Sequence, residues 1–172
     1  MKMTHVLVTI LLAAAPAALV AQTAKNPATT QAAVTDPGDF AARVASANML
    51  EIVSSMLALQ HSVGPKATAF AQKMVGDHTH AGAELTKAAT DSGVTPPVDM
   101  AATDKAAMID LKGAANFQSA YVAAQVKGHD ETVALFESFM ANGPAGPLKD
   151  FATKTLPTLK DHQSAIHAIA GI

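Results

Sequence analysis

The sequence AQKMVGDHTHAGAELTKA, residues 71–88, places apolar side chains at alternating intervals of three and four residues. This spacing puts them on one face of a helix. The face consists of Ala71, Met74, Ala81, Leu85 and Ala88, with His78 between Met74 and Ala81. Because a buried imidazole needs a hydrogen-bond partner or a metal ion, His78 is the first candidate functional residue.

Three other segments show the same pattern, and each carries one metal-capable side chain on its apolar face. No strand-like alternation competes with the helical spacing, so the sequence predicts an all-α, up-down four-helix bundle. The predicted helices span about residues 39–60, 66–92, 115–141 and 146–170. Their polar positions are Glu51, His78, His129 and His162.

Prolines and glycines indicate where the helices begin and end. Asp39 is the expected N-cap of the first helix, and Gly93 is expected to terminate the second. The connection over residues 93–115 is long for a bundle, and it is predicted to hold a short extra helix at about 101–111. Pro157 is expected to kink or split the fourth helix.

The N-terminal region predicts export. Residues 1–21 combine Lys2, a short apolar run and small residues before the expected cleavage point, which is typical of a signal peptide. Residues 22–37 are rich in Thr, Ala and Gln and are predicted to be a flexible tether. The bundle domain is then expected to cover residues 38–172. No transmembrane segment is expected after the signal, and the predicted location is the periplasm or cell envelope.

Composition excludes several classes of function. The chain has no cysteine, so thiolate chemistry and disulfides are excluded. Its formal net charge is −2, and aromatic residues make up 4% of the sequence. Nucleic-acid binding is not expected, because both a basic surface and stacking residues are lacking.

The four polar positions predict a metal site. Glu51, His78 and His129 lie near the midpoints of their helices, and His162 lies about 8 Å beyond its midpoint. Antiparallel helices align their midpoints, so the first three side chains should meet at one level inside the bundle, with His162 nearby. Imidazole nitrogens with a carboxylate suit one transition-metal ion such as Zn, Cu or Fe. Expected outer partners of the histidines are Asp77, Asp130 and Asp161, each adjacent in sequence to one of them.

A second interpretation of the same residues needs no metal. Glu51 and protonated imidazoles would also form a buried hydrogen-bond network that fixes the register of the helices. The sequence leaves both interpretations open.

Three strings resemble a bacterial family called domain of unknown function 4142. They are AFAQKMVGDHTHAGAEL, AYVAAQVKGHDETVALFE and LKDFATKTLPTLKDHQ, at residues 69–85, 120–137 and 148–163. The resemblance covers about residues 38–168 and implies an exported, ferritin-like four-helix bundle, often described as a periplasmic or outer-membrane protein. The matching positions are Glu51, Asp77, His78, His129 and His162.

Together these observations favour a non-catalytic envelope protein that binds one metal ion in the bundle core. The alternatives are an interaction module with a metal-free polar network and a ferritin-like metal-dependent oxidoreductase or storage protein. An envelope protein is the expected partner class. The sequence determines neither the metal nor the oligomeric state.

Overall fold

The computed structural model describes residues 33–172, and within this range the protein is all-helical. The predicted signal peptide and residues 22–32 of the predicted tether lie outside the described residues. No helix of the described part is long and apolar enough to cross a membrane. The helices are α1 Pro37–Gln60, α2 Pro65–Asp91, α3 Ala102–Gly113, α4 Phe117–Asn142 and α5 Pro147–Ala170.

The first helix begins two residues earlier than the sequence suggested. Asp36, and not Asp39, is the N-cap of α1, and its Oδ1 accepts a hydrogen bond of 2.7 Å from the Asp39 backbone N–H. Pro37 occupies the first turn, where its missing N–H leaves no helical hydrogen bond unmade. Just before this helix, Val34 is buried against the core, so the packed structure already includes the end of the predicted tether.

Four long helices form a closed ring, which makes the described part a helical bundle. Helix α1 packs against α2, α2 against α5, α5 against α4, and α4 against α1. The links 61–64 and 143–146 are short, so α1–α2 and α4–α5 are hairpins. Between α2 and α4 lies the predicted short helix, α3, which packs on α1 and α4.

Helix α5 continues without a break through Pro157, so the expected split does not occur. Proline cannot donate to the carbonyl four residues earlier, which belongs to Thr153. Both Pro157 and Thr153 are exposed, so water can satisfy that carbonyl. By contrast, α2 ends where expected, with Gly93 at a positive φ of 71° just after its last turn.

The core consists of two apolar clusters toward opposite ends of the helical bundle. One contains Phe40, whose ring stacks on Phe139 at a centroid distance of 4.0 Å. The other contains Met74, Tyr121 and Ile166, all fully buried. Between the two clusters lies a set of buried polar side chains that we call the polar layer. It comprises Glu51, His78, His129 and His162.

Candidate metal centre

Three helices bring three histidines together inside the bundle. His78 on α2, His129 on α4 and His162 on α5 are 6%, 1% and 1% exposed. Their ring centroids are separated by 5.5–5.9 Å. One nitrogen of each ring lies within 4.8 Å of one nitrogen of the other two. Three buried histidines so placed can form a metal site.

Each imidazole uses one nitrogen to bond a partner outside the cluster. His78 Nδ1 is 3.0 Å from Asn48 Oδ1, and His129 Nδ1 is 2.9 Å from the backbone oxygen of Gln125. His162 Nε2 is 2.8 Å from Asp77 Oδ2. Because all three partner oxygens accept, each of these ring nitrogens carries the proton. The opposite nitrogen of each neutral ring therefore presents a lone pair.

Those opposite nitrogens are the ones that an ion would use. Among residues 33–172, Nε2 of His78, Nε2 of His129 and Nδ1 of His162 are buried and have no hydrogen-bond partner. Outer partners that fix the tautomer and orientation of each ring are the usual support of a histidine-bound metal. The cluster thus has both the ligating atoms and the hydrogen bonds that orient them.

Burial keeps these imidazoles neutral, which is their ligating form. Burial, together with the nearby His129 and His162, lowers the pKa of His78 to about 3. It also lowers the pKa of His129 to about 4, partly offset by the hydrogen bond to the Gln125 carbonyl. Burial lowers the pKa of His162 as well, and the hydrogen bond that His162 donates to Asp77 opposes this shift.

Glu51 on α1 is buried at the side of the three histidines. Its Oε1 is 3.9 Å from His129 Nδ1, the nitrogen already bonded to the Gln125 carbonyl. A Cβ on Gly128 would lie 2.6 Å from the same Oε1, so glycine makes room for the carboxyl group. Burial raises the pKa of Glu51 to about 8, partly offset by the Gln125 side-chain amide. A nearby cation would favour the ionised form.

The metal-free protein should be most stable near pH 6.5. As pH rises from about 3 to 6.5, the unfolded chain releases histidine protons that the folded protein does not hold, so stability increases. Between pH 4.5 and about 8, the folded protein holds a Glu51 proton that the unfolded chain releases, so this group lowers stability. Three histidines outweigh one glutamate up to pH 6.5, and Glu51 dominates above it.

Urea unfolding with a chelator present, at pH 4, 6.5 and 8.5, would check this maximum. A free energy of unfolding that still increases from pH 6.5 to 8.5 would contradict the buried, uncharged state of Glu51.

The predicted aspartates divide into two groups. Asp77 orients His162, which lies on a different helix from its sequence neighbour His78. Asp130 instead accepts hydrogen bonds from Gln163 and His167 at the surface, so it does not orient His129. Asp161 is exposed, although its charge slightly favours protonation of His162.

Sequence reasoning missed Asn48 and Gln125 as orienting partners. Asn48 precedes Glu51 by three residues, and Gln125 precedes His129 by four, so each lies one turn from a residue of the polar layer. This one-turn spacing is the sequence feature that could have identified the two orienting partners. It is weak, because the Gln125 contact uses the backbone oxygen, which every residue carries.

A solved structure shares this fold. It is the crystal structure of a conserved hypothetical protein, rv2844, from Mycobacterium tuberculosis, with a TM-score of 0.62 and 11% sequence identity. The match covers 78% of this chain and 90% of that chain. At this identity the likeness concerns the fold alone.

No curated protein matches the chain at a significant level. A family-level match covers residues 21–169, and these include all four helices of the ring nearly in full. The chain therefore belongs to the family described as Domain of unknown function (DUF4142).

Proposed function

We propose that this protein binds a single transition-metal ion through His78, His129 and His162, with Glu51 supplying a negative charge beside the ion. The observation that carries the proposal is the set of buried ring nitrogens that lack a partner within residues 33–172. The three rings lie together inside the bundle, and each is held through its other nitrogen by a hydrogen bond to an oxygen outside the cluster.

A metal-free network accounts less well for this arrangement. Such a network would pair the inner nitrogens with one another or with Glu51, yet within the described range these nitrogens and Glu51 Oε2 have no partner. Each buried, unsatisfied polar atom costs about 1–3 kcal/mol. An ion would satisfy all three nitrogens at once and would offset the buried carboxylate.

The ligand set favours Zn, Cu or Fe, for which imidazole is a suitable donor. At a metal–nitrogen distance of about 2.0–2.1 Å, tetrahedral ligands lie about 3.4 Å apart. One nitrogen of each ring lies within 4.8 Å of one nitrogen of the other two, so binding from that spacing requires the three rings to move inward by roughly an ångström. Rotations of the side chains within their hydrogen bonds can supply such a movement.

We also propose that the bundle is ferritin-like, with helices running up and down, and that the protein acts in the periplasm or cell envelope. The N-terminal signal-like sequence and the ring of four helices support these proposals. Two-metal ferritin-like sites use several glutamates together with Glu-x-x-His pairs. The polar layer contains one glutamate, which favours a single ion and a role in binding over oxidation.

Metal titration tests the proposal directly. Protein purified from cells expressing the full chain would be stripped with a chelator and titrated with Zn²⁺, Cu²⁺ and Fe²⁺ separately. We expect one equivalent to bind. Because the pKa values of His78 and His129 are about 3 and 4, the ion should be retained at pH 5.5, where an ordinary imidazole is mostly protonated. Failure of all three ions to bind would refute the proposal.

Substitution of Asp77 should weaken this binding without abolishing it. Asp77→Asn keeps the shape of the side chain but removes the charge that accepts the His162 hydrogen bond. Loss of an outer partner of this kind costs about 10–100-fold in metal affinity. The matched control is Asp161→Asn, because Asp161 adjoins His162 in sequence and is exposed. Equal losses in both variants, measured by calorimetric titration, would show that general surface charge and not orientation is responsible.

A further inference from the structure

Resting on the proposed function, we propose that the bound ion keeps a fourth coordination position, which faces a small cavity and holds one exchangeable water molecule. The site would then be an open, three-histidine centre. Glu51 would contact the ion through that water and would not be a direct ligand.

A cavity of about 20 Å³ adjoins the polar layer and is lined by Glu51 and His78. A cavity of roughly 10–15 Å³ or more holds one water molecule, provided that the water finds polar partners. This cavity therefore accommodates one water-sized ligand and excludes larger ones.

The cavity contacts His78, and the helical register places part of it one turn from His129 and His162. Ala81 and Thr132 lie three residues after His78 and His129, and Leu159 lies three residues before His162. All three line the cavity, so one end of it lies within one helical turn of the imidazoles.

The opposite side of the imidazoles is filled. Met74 and Ile166, four residues from His78 and His162, are both 0% exposed. The Phe70 ring also packs there, with its centroid 5.8 Å from that of His129. Apolar side chains thus pack against the side of the imidazoles that faces away from the cavity, and the cavity side offers room for a further ligand.

Two buried oxygen atoms of residues that line the cavity have no hydrogen-bond partner in the described part of the chain. Glu51 Oε2 and Thr155 Oγ1 are buried, and neither has a hydrogen-bond partner within the described chain. Both residues line the cavity, whose remaining walls are largely apolar. A water bound to a metal through its oxygen has two O–H groups to donate, and the Glu51 carboxyl group is an acceptor beside the histidines. A water bound to the ion at this end of the cavity would donate to Glu51 Oε2 and complete a four-coordinate site, whereas Thr155 lies seven residues before His162 and lines the more distant part of the cavity.

The test uses Cu²⁺ alone as the probe. The full-length protein would be stripped, loaded with one equivalent of Cu²⁺ and transferred into water enriched in ¹⁷O. Electron–nuclear double resonance should then show coupling to one directly bound ¹⁷O. Copper content would be measured on the same sample. One copper without ¹⁷O coupling overturns this inference and leaves the proposed function intact, whereas a sample without bound copper overturns both.

Cavity-filling variants give a second, independent readout. Ala81→Val and Ala47→Val add methyl groups to the cavity from two different helices. Each should keep one copper and lose the ¹⁷O coupling. Ala83→Val is the matched control, because Ala83 is exposed on the same helix as Ala81. Retention of the coupling in a folded, copper-loaded Ala81→Val or Ala47→Val protein would place the water elsewhere. The measurement on the unaltered protein stands even where neither variant folds.

Discussion

Replacing His78 by alanine should abolish specific metal binding, whereas replacing His80, two residues further along α2, should leave it unchanged. His78 contributes one of the three converging nitrogens. The side chain of His80 is 76% exposed and pairs with Glu84 at the surface. Removal of a ligand should reduce affinity by more than the roughly 100-fold that loss of an outer partner can cause.

Thermal unfolding would show this difference clearly. At a free-ion concentration about 1,000 times the Kd, binding stabilises the folded state by about 4 kcal/mol. For a domain of this size that corresponds to a rise in Tm of roughly 10 °C. We expect this rise in the unaltered protein and in His80→Ala, and no rise in His78→Ala. Equal rises in all three proteins would place the ion outside the bundle core.

Replacing Glu51 by glutamine should change stability in opposite directions with and without metal. Above pH 8 the metal-free protein must ionise a buried carboxyl group whose pKa is raised to about 8. Glutamine has a similar shape and no charge to bury. At pH 9 we therefore expect the metal-free Glu51→Gln variant to be more stable by several kcal/mol. At pH 4, where the carboxyl is neutral in both states, the advantage should nearly vanish.

A bound cation should reverse this advantage, because the carboxylate then offsets the charge of the ion. Urea unfolding at pH 9, with chelator and with saturating Zn²⁺, would measure both effects. Glu131→Gln is the control, since its exposed ion pair with Lys127 contributes at most about 1 kcal/mol. An equal gain in both variants would assign the effect to net charge and not to burial.

Helical periodicity predicted the main features of the bundle and the positions of its histidines. The three-and-four spacing around His78 and His129 specifies one face of a helix, and packing then buries that face. The bounds of the long helices were predicted to within two residues, because prolines and glycines mark most of their ends. His162 was expected to lie near the level of the other three polar residues, and its ring centroid is 5.5 Å from that of His78.

The orientation of side chains was beyond sequence reasoning. Whether Asp77 turns toward His162 or toward water depends on the packing of α5 against α2, which local spacing does not encode. The same holds for Glu51, whose carboxyl position depends on the absence of a side chain at Gly128 on a neighbouring helix. The start of α1 was misplaced because Asp36 and Asp39 are both good capping residues.

The polar layer divides the apolar interior into two halves. This division favours one axial register of the helices when the bundle assembles. Sliding one helix by a single turn, about 5.4 Å, would remove its histidine from the other two and bury it against hydrocarbon. A displaced His78 or His162 would lose both its neighbours and its hydrogen bond to another helix, at a cost of several kcal/mol, whereas a displaced His129 would keep its bond to Gln125 and lose its neighbours. A bundle with one shifted helix is therefore less stable, even where its apolar contacts are equally extensive. One register of the four helices is favoured without a bound ion.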